Sequence, residues 1–562
     1  MSNARIDPML VSILQRRFKS ITEEMGLTLL RTTRSPILNE ARDFVTGLYD
    51  RQGRMLEQTE YIPILAFALQ PSLKSVIDYF GDDVHPGDVF MHNDVFSGGN
   101  QNADVAIFKP IFLEEELIGW AACKGHQADI GGNAMGGYNP EAREVWQEAL
   151  RIPPVKVFDR GERRRDVWDL IFANIRLKTV EEDLRAHIGG CVVGERRFLE
   201  IATKYGVDVL YAHVDYLLDA TEKRMREEIR RIPDGSASVE SYAWGDAIDD
   251  DRRLLIKLRL TVRDDEIEFD YEGTGPQTEG FVNAPLSSTR SAVMLCTLMM
   301  VDPDMPHNDG LLRPIGVHVP EGCFLNAEFP AATTFGNTLA GPNSDAIFKA
   351  FYELAPDRVS AGWNRALNIS VSGWEPRTNR RWADILFLSL KGGSGATAAT
   401  DGYDHIGLIN CAGGILGQDC EMIEIQDPLL LHRHEYLCDS AGAGERRGGL
   451  GVETELEFLG EETTLVTFGD GVKPGSEAFG LNGGQAGCLN RALLTYPDGR
   501  TQVPKSKELV RGVPRGAMLR QVAGGGGGFG DPKLRSRSKI REEVEDGVIS
   551  PEAAERLYGL EG

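Results

Sequence analysis

The chain alternates between stretches of helical and of strand texture. Asp7-Pro8 suits the start of a helix, because Asp caps and Pro fits the first turn. Leu10, Ile13, Leu14, Phe18, Ile21 and Met25 then recur at three- and four-residue spacing, which predicts a helix packed on a core. Phe44 to Asp50, followed by Arg51-Gln52-Gly53-Arg54, reads as a strand and a turn. Between 88 and 130, short apolar runs (Asp88 to Met91, Val105 to Phe112, Leu117 to Cys123) alternate with Gly- and Asn-rich loops, the mark of a sheet. From about 164 to 232 the pattern is helical and heavily charged, and Pro233-Asp234-Gly235 ends it. Residues 236–275 alternate as strands do. A mixed region runs to about 430, and strands and turns dominate from 431.

The fold class expected is therefore mixed α/β (α+β) and multi-domain. The regions are 1–235 with the candidate site, 236–430 central, 431–532 β-rich, and 533–562 a polar helical or partly disordered tail. The five glycines Gly524 to Gly528 precede Phe529-Gly530-Asp531-Pro532, not a helix. They read as a mobile or tightly turning loop and not as a nucleotide cradle. The sequence carries no G-x-x-x-x-G-K-[ST], no G-x-G-x-x-G between strand and helix, and no G-x-S-x-G.

The net charge of −24 argues against a nucleic-acid enzyme, which needs a basic surface to meet phosphates. The eight cysteines form no C-x-x-C pair and read as reduced, mostly buried thiols. The first ten residues carry no apolar core of a signal peptide, and no run reaches the length of a membrane helix. A cytoplasmic protein without membrane or nucleic-acid partners is expected.

The densest polar cluster in the sheet region is His92 to Asp104, followed by Gly125 to Gly132 with His126 and Asp129. Carboxylates and imidazoles on loops between strands suit Zn, Mn or Fe, but an isolated H-x-x-D is common and a lone His is usually structural. Here the sequence resembles the hydantoinase B / 5-oxoprolinase family over most of its length. Glu40-Ala41-Arg42-Asp43-Phe44 is similar to its acidic-Arg-Asp-Phe signature. Asn93-Asp94, Gly98-Gly99 and Asp104 are similar to N-D-x-x-x-G-G-x-H-x-x-D, and His126 to Gly132 to H-x-x-D-x-G-G. Gln147 to Pro154, Pro306 to Gly310 with Arg313-Pro314, Arg447 to Gly451, and Gly524 to Pro532 complete the family order.

The resemblance implies a hydantoinase B-like fold and a larger hydantoinase A-type partner that carries ATP and Mg2+, with further small subunits in some complexes. It implies Asp43, Asp104, His126 and Asp129 as catalytic residues. Leu65, Asn93, Asp94, Gln101 and Glu148 would form the substrate pocket, and Asp43, Asp104 and His126 a Zn or Mn site. Two positions depart from the family: Gln101 and Leu65 stand where histidines are expected. The site is then metal-free, binds metal weakly, or accepts a more apolar substrate. Within the family the sequence looks most like the B-type subunit of acetophenone carboxylase. That implies joining the phosphorylated enol of an aryl ketone to activated bicarbonate or CO2, giving a β-keto acid. The alternatives are an ATP-dependent cyclic amide hydrolase (hydantoin, 5-oxoproline or lactam) and a non-catalytic structural subunit.

Overall fold

The computed structural model describes residues 6–59 and 61–560. Its architecture is mixed α/β, with helices laid against antiparallel or mixed sheets. The first helix, Pro8–Thr32, starts as its sequence dictates: Asp7 accepts the amide of Met9 at 2.9 Å and Pro8 occupies the first turn. Its buried stripe is Val11, Leu14, Phe18, Ile21, Met25 and Leu29. Ile13 is 39% exposed, because Val11 occupies the core-facing position on that turn.

Seven strands build the first sheet: β1 (Phe44–Tyr49), β2 (Met55–Gln58), β3 (Val89–His92), β4 (Asp104–Leu113), β5 (Glu116–His126), β6 (Val155–Asp159) and β7 (Glu162–Arg163). Their spatial order is β2-β1-β5-β4-β3-β6-β7 and every pairing is antiparallel. The register sets up the site. Asp104, first residue of β4, pairs with His126, last residue of β5, and Phe44 at the start of β1 pairs with Gly125. Three adjacent strands thus present Asp43, His126 and Asp104 at one end. The charged helical region resolves into Arg165–Phe172, Lys178–Tyr205 and Val207–Ile229, and helix Lys178–Tyr205 packs on β4, β5 and the first helix.

The second sheet takes β8 (Gly235–Trp244), β9 (Arg253–Arg263), β10 (Glu266–Asp270) and β11 (Ile315–His318), with helix Ala340–Leu354 on its face. The strands alternate buried and exposed positions, as a sheet with one wet face requires. The third sheet has the order β13-β12-β16-β19, built from β12 (Leu367–Glu375), β13 (Arg380–Ile385), β16 (Glu461–Gly469) and β19 (Lys507–Val513). The fourth has β14 (Leu429–Tyr436), β15 (Val452–Phe458), β20 (Met518–Ala523), β17 (Arg491–Thr495) and β18 (Thr501–Gln502). The largest apolar core is continuous from Val11 to Phe529.

One expectation is corrected, and one pair of alternatives is decided. The five glycines are not a mobile loop but a buried, extended stretch of backbone. Gly524 and Gly527 accept the amides of Gly393 and Ala396, and Gly526 and Gly527 donate to Gly449 and Gly362. Side chains are excluded because neighbouring backbone fills their space: a Cβ on Gly526 would stand 1.8 Å from the Ser394 carbonyl oxygen. The tail, described to residue 560, takes the helical of its two expected forms. Helices Arg537–Glu545 and Pro551–Tyr558 bury Ile540, Ala553 and Tyr558 against Ala443, and Arg535 pairs with Asp401 at 2.8 Å.

Residues 1–5 of the N-terminal segment discussed above lie outside the described residues. Among the described residues no helix is long and apolar enough to cross a membrane, and five of the eight cysteines are buried.

Candidate active site

Where β1, β5 and β4 end, a small cavity of about 40 Å³ opens. Asp43, Leu65, Gln101, Asp104 and His126 line it, together with Tyr138, Asn337, Asn368, Asn410, Cys411 and Phe468. Its remaining wall is aliphatic and aromatic: Ile62, Ile64, Ile385, Phe387, Leu390, Leu408 and Ile415. A few polar groups converging in an apolar cleft is the usual form of a small-molecule site.

His126 is buried and donates Nδ1–H to Asp104 Oδ1 at 2.8 Å, which fixes the ring's orientation. Its Nε2 is buried without a protein partner among the described residues. Burial opposes the imidazolium, but the Asp104 hydrogen bond and the charges of Asp104 and Asp43 outweigh it and raise the His126 pKa. Asp43 is also raised, to about 7, chiefly by burial, with Asp104 adding to the shift and His126 opposing it. The Asp43 carboxylate makes no side-chain hydrogen bond among the described residues, while its backbone oxygen accepts the amide of His126 at 3.0 Å. The imidazole of His126 stacks on Tyr138 (5.8 Å, 15°), and Tyr138 on Phe468 (3.5 Å, 15°).

Asp104 is held from behind. Asn337 donates to Oδ2 at 3.0 Å and Asn100 to the same oxygen; Lys124 Nζ donates to Asn100 Oδ1 at 2.8 Å. Lys124 is buried beneath the cavity floor, and burial drives its pKa down to about 7. Gln101 faces the cavity, but both ends of its amide are committed: Oε1 accepts from Asn337 at 2.8 Å and Nε2 donates to Thr334 O at 2.9 Å.

Four residues expected in the site do not line the cavity. Asp129 is bound by the backbone and guanidinium of Arg176, at 2.8 and 2.5 Å. Asn93 braces three backbone groups, those of Asn102, Leu150 and Ile152. Asp94 accepts a bidentate pair from Arg151 at 2.7 and 2.8 Å and caps the turn at Phe96. Glu148 accepts the amides of Thr333 and Thr334, both at 2.8 Å, and so fixes the turn that carries Asn337. The reason is common to all four. Loops passing through the interior leave backbone groups that need partners, and short polar side chains supply them. Tyr138, Asn337 and Asn410 were not foreseen. Tyr138 follows Gly136-Gly137 shortly after the H-x-x-D-x-G-G segment, a signal that was available; Asn337 and Asn410 come from distant segments with none.

The implied metal set of Asp43, Asp104 and His126 is not arranged as ligands. Asp104 is spent on His126, Asn100 and Asn337, Gln101 spends its amide within the protein, and among the described residues no group of three or more His, Cys, Asp or Glu is placed to hold a metal ion. These side chains, as placed, do not fit a metal site.

The fold and the site define a mixed α/β protein with an acid–base cluster at the end of an antiparallel sheet, walled by apolar side chains. The chain belongs to the hydantoinase B/oxoprolinase family, whose model matches residues 7–532. It is 36% identical to the beta subunit of caprolactamase from Pseudomonas jessenii, covering 99% of this chain and 96% of that protein. The crystal structure of the ATP-dependent caprolactamase from that organism superposes with a TM-score of 0.92 at 34% identity, over 100% of this chain and 97% of that one. The B subunit of a putative D-/L-hydantoinase from Pseudomonas sp. (strain NS671) is 31% identical, over 99% of this chain and 95% of that protein. Acetone carboxylase, in its nucleotide-free structure, shares the fold: TM-score 0.90, 20% identity, 98% of this chain and 79% of that one.

Proposed function

We propose that this chain is the B-type component of an ATP-dependent complex that opens a cyclic amide, a lactam or hydantoin-like ring. The observation that carries this is the pair Asp104–His126, aligned by strand register, with Nε2 of His126 and the carboxylate of Asp43 left without side-chain partners at one cavity. These are the atoms through which a water can lose a proton and a ring nitrogen gain one. The ring's carbonyl oxygen is phosphorylated on an A-type partner holding ATP and Mg2+. Water then adds to the activated carbon, the ring C–N bond breaks and the nitrogen leaves as an amine. A second water releases the phosphoryl group, leaving a carboxylate and inorganic phosphate. Similarity to one component of a caprolactamase and one of a putative hydantoinase, each above 30% over nearly the full chain, supports this order of preference.

A second reading, carboxylation of a ketone enol such as that of acetophenone, is favoured by the apolar Leu65 in the wall and by the committed amide of Gln101. Both remove polar groups that a water-activating site would use. Reconstitution with an A-type partner separates the two. Turnover of lactams or hydantoins with ATP alone supports ring opening, whereas turnover only of aryl ketones with bicarbonate rejects it. His126→Ala and Asp104→Ala are expected to lower turnover at least about 100-fold, the lower end of what a general acid–base contributes. Unchanged turnover in both would make the chain a structural component of the complex.

A further inference from the structure

Lys391 is an exception among the buried lysines. Lys124 donates to Asn100 and Ala68 O, Lys507 to two carbonyls, Lys156 pairs with Asp83 and Asp88, and Lys109 with Glu195. Lys391 is only 7% exposed, yet among the described residues its Nζ makes no hydrogen bond or ion pair. Its Nζ is not sealed off, so an anion can reach it, and burial of the side chain lowers its pKa, a cost that a bound anion would offset.

Its surroundings are basic. The imidazoles of His405 and His434 lie 5.0 Å apart at 63°. Each uses one ring nitrogen on the protein: His405 Nε2 on Leu388 O at 3.3 Å, His434 Nδ1 on Thr454 Oγ1 at 2.9 Å. The other nitrogen of each has no protein partner among the described residues. Burial, reinforced by the Lys391 charge, holds both imidazoles below their ordinary range, so they stand neutral: His405 spends its one N–H on Leu388 O and leaves a lone pair on Nδ1, whereas His434 pairs Nδ1 with the Thr454 hydroxyl and offers Nε2–H. The acidic side chains nearby in sequence are engaged elsewhere. Asp404 accepts from Arg447 and the Leu450 amide, Asp401 pairs with Arg535, and Glu435 turns to Arg433. The cluster adjoins the cavity. Lys391 directly follows Leu390 and its aliphatic chain passes over Gly407 beside Ile415. Cys411, in the cavity wall, feels its charge.

We infer that Lys391, His405 and His434 form an oxyanion site that takes a phosphate group beside the acid–base cavity. One ammonium and the N–H of His434, with no competing carboxylate, match the acceptor oxygens of phosphate, and the lone-pair nitrogen of His405 matches the hydroxyl of a hydrogen phosphate. The phosphate comes either from the phosphorylated substrate or from free inorganic phosphate; the first source rests on the ring-opening reading above.

The test is calorimetry and thermal melting of the full chain with inorganic phosphate, against chloride at equal ionic strength. The parent is expected to bind about one phosphate and to melt higher in its presence, as any ligand of the native state produces. Lys391→Met is expected to bind at least about tenfold more weakly, since a charge-assisted contact is lost. It should melt higher than the parent without phosphate, because the lone charge is gone, and show no phosphate-dependent rise. A parent with no phosphate-specific shift, or a Lys391→Met chain that keeps the full shift, overturns the site. Should Lys391→Met fail to fold, the double variant His405→Gln/His434→Gln decides: weakened binding supports the site and unchanged binding overturns it. In the reconstituted complex, ATP hydrolysis without ring opening by Lys391→Met assigns the site to the substrate's phosphoryl group. Intact coupling with lost phosphate binding assigns it to free phosphate. If no ring amide is turned over, the ring-opening reading falls while the calorimetric result stands.

Discussion

Glu148 shows how a polar residue in a recognisable motif can act on the site without entering it. Its carboxylate accepts the amides of Thr333 and Thr334, and the same turn brings Asn337 to Asp104 and Gln101. Burial, only partly offset by those amides, raises its pKa from 4.5 to about 7. The folded state therefore favours the protonated carboxyl more than the unfolded chain does. That contribution to stability is full below about pH 4.5 and is lost as pH rises through about 7. One such group changes stability by up to about 1.4 kcal/mol per pH unit. Glu148→Gln is expected to flatten the fall in melting temperature between pH 5 and pH 8; an unchanged profile would place the titration elsewhere. Asp104 and His126 were legible as a pair because each sits in a short, well-spaced motif. Asp129, Asn93 and Asp94 sit in the same motifs but spend their polarity on backbone groups and on Arg176 and Arg151, which no local pattern reveals.

At the level of elements, glycines divide by what surrounds them. Gly526 lies in the buried run where a Cβ meets the Ser394 carbonyl at 1.8 Å. Gly189 lies within helix Lys178–Tyr205 with nothing within 4 Å of the added atom. Gly189→Ala is expected to stabilise the chain by about 1 kcal/mol, as the helix interior gains Ala's propensity. Gly526→Ala is expected to cost more than about 4 kcal/mol, because backbone on both sides must separate. Chemical denaturation of the two variants tests the contrast, and a soluble Gly526→Ala chain of parental stability would contradict the packing described. The first helix, the charged helices and the alternating strands of the second sheet were legible from periodicity, which is a local property. The role of the glycine run was not, because close approach of backbone is decided by the partner segments at 362, 393 and 449.

At the scale of the whole molecule, one buried guanidinium ties distant parts together. Arg365, 6% exposed, donates to Asp345 in helix Ala340–Leu354 at 2.7 and 2.9 Å, to Asp470 just past β16 at 3.4 Å, and to the Tyr242 carbonyl of β8 at 2.8 Å. Arg365→Ala leaves two buried carboxylates without their cation and is expected to cost about 3–5 kcal/mol in a denaturant titration. A loss below about 1 kcal/mol would show that the pair is solvated and not a structural tie.

The chain's own pattern determined the helix and strand textures, the acidic character, and the motifs that place Asp43, Asp104 and His126 in one family of proteins. All of these are carried by neighbouring residues within a few turns or strands. Only the tertiary structure decided which polar residues face the cavity. The register of β4 on β5 sets Asp104 against His126, and the turn held by Glu148 delivers Asn337 from more than 200 positions away. It alone decided that Lys391, His405 and His434 share one place without a carboxylate. The physical reason is that side-chain pairing and burial depend on which segments meet, and long-range meeting is set by sheet register and core packing, not by local spacing.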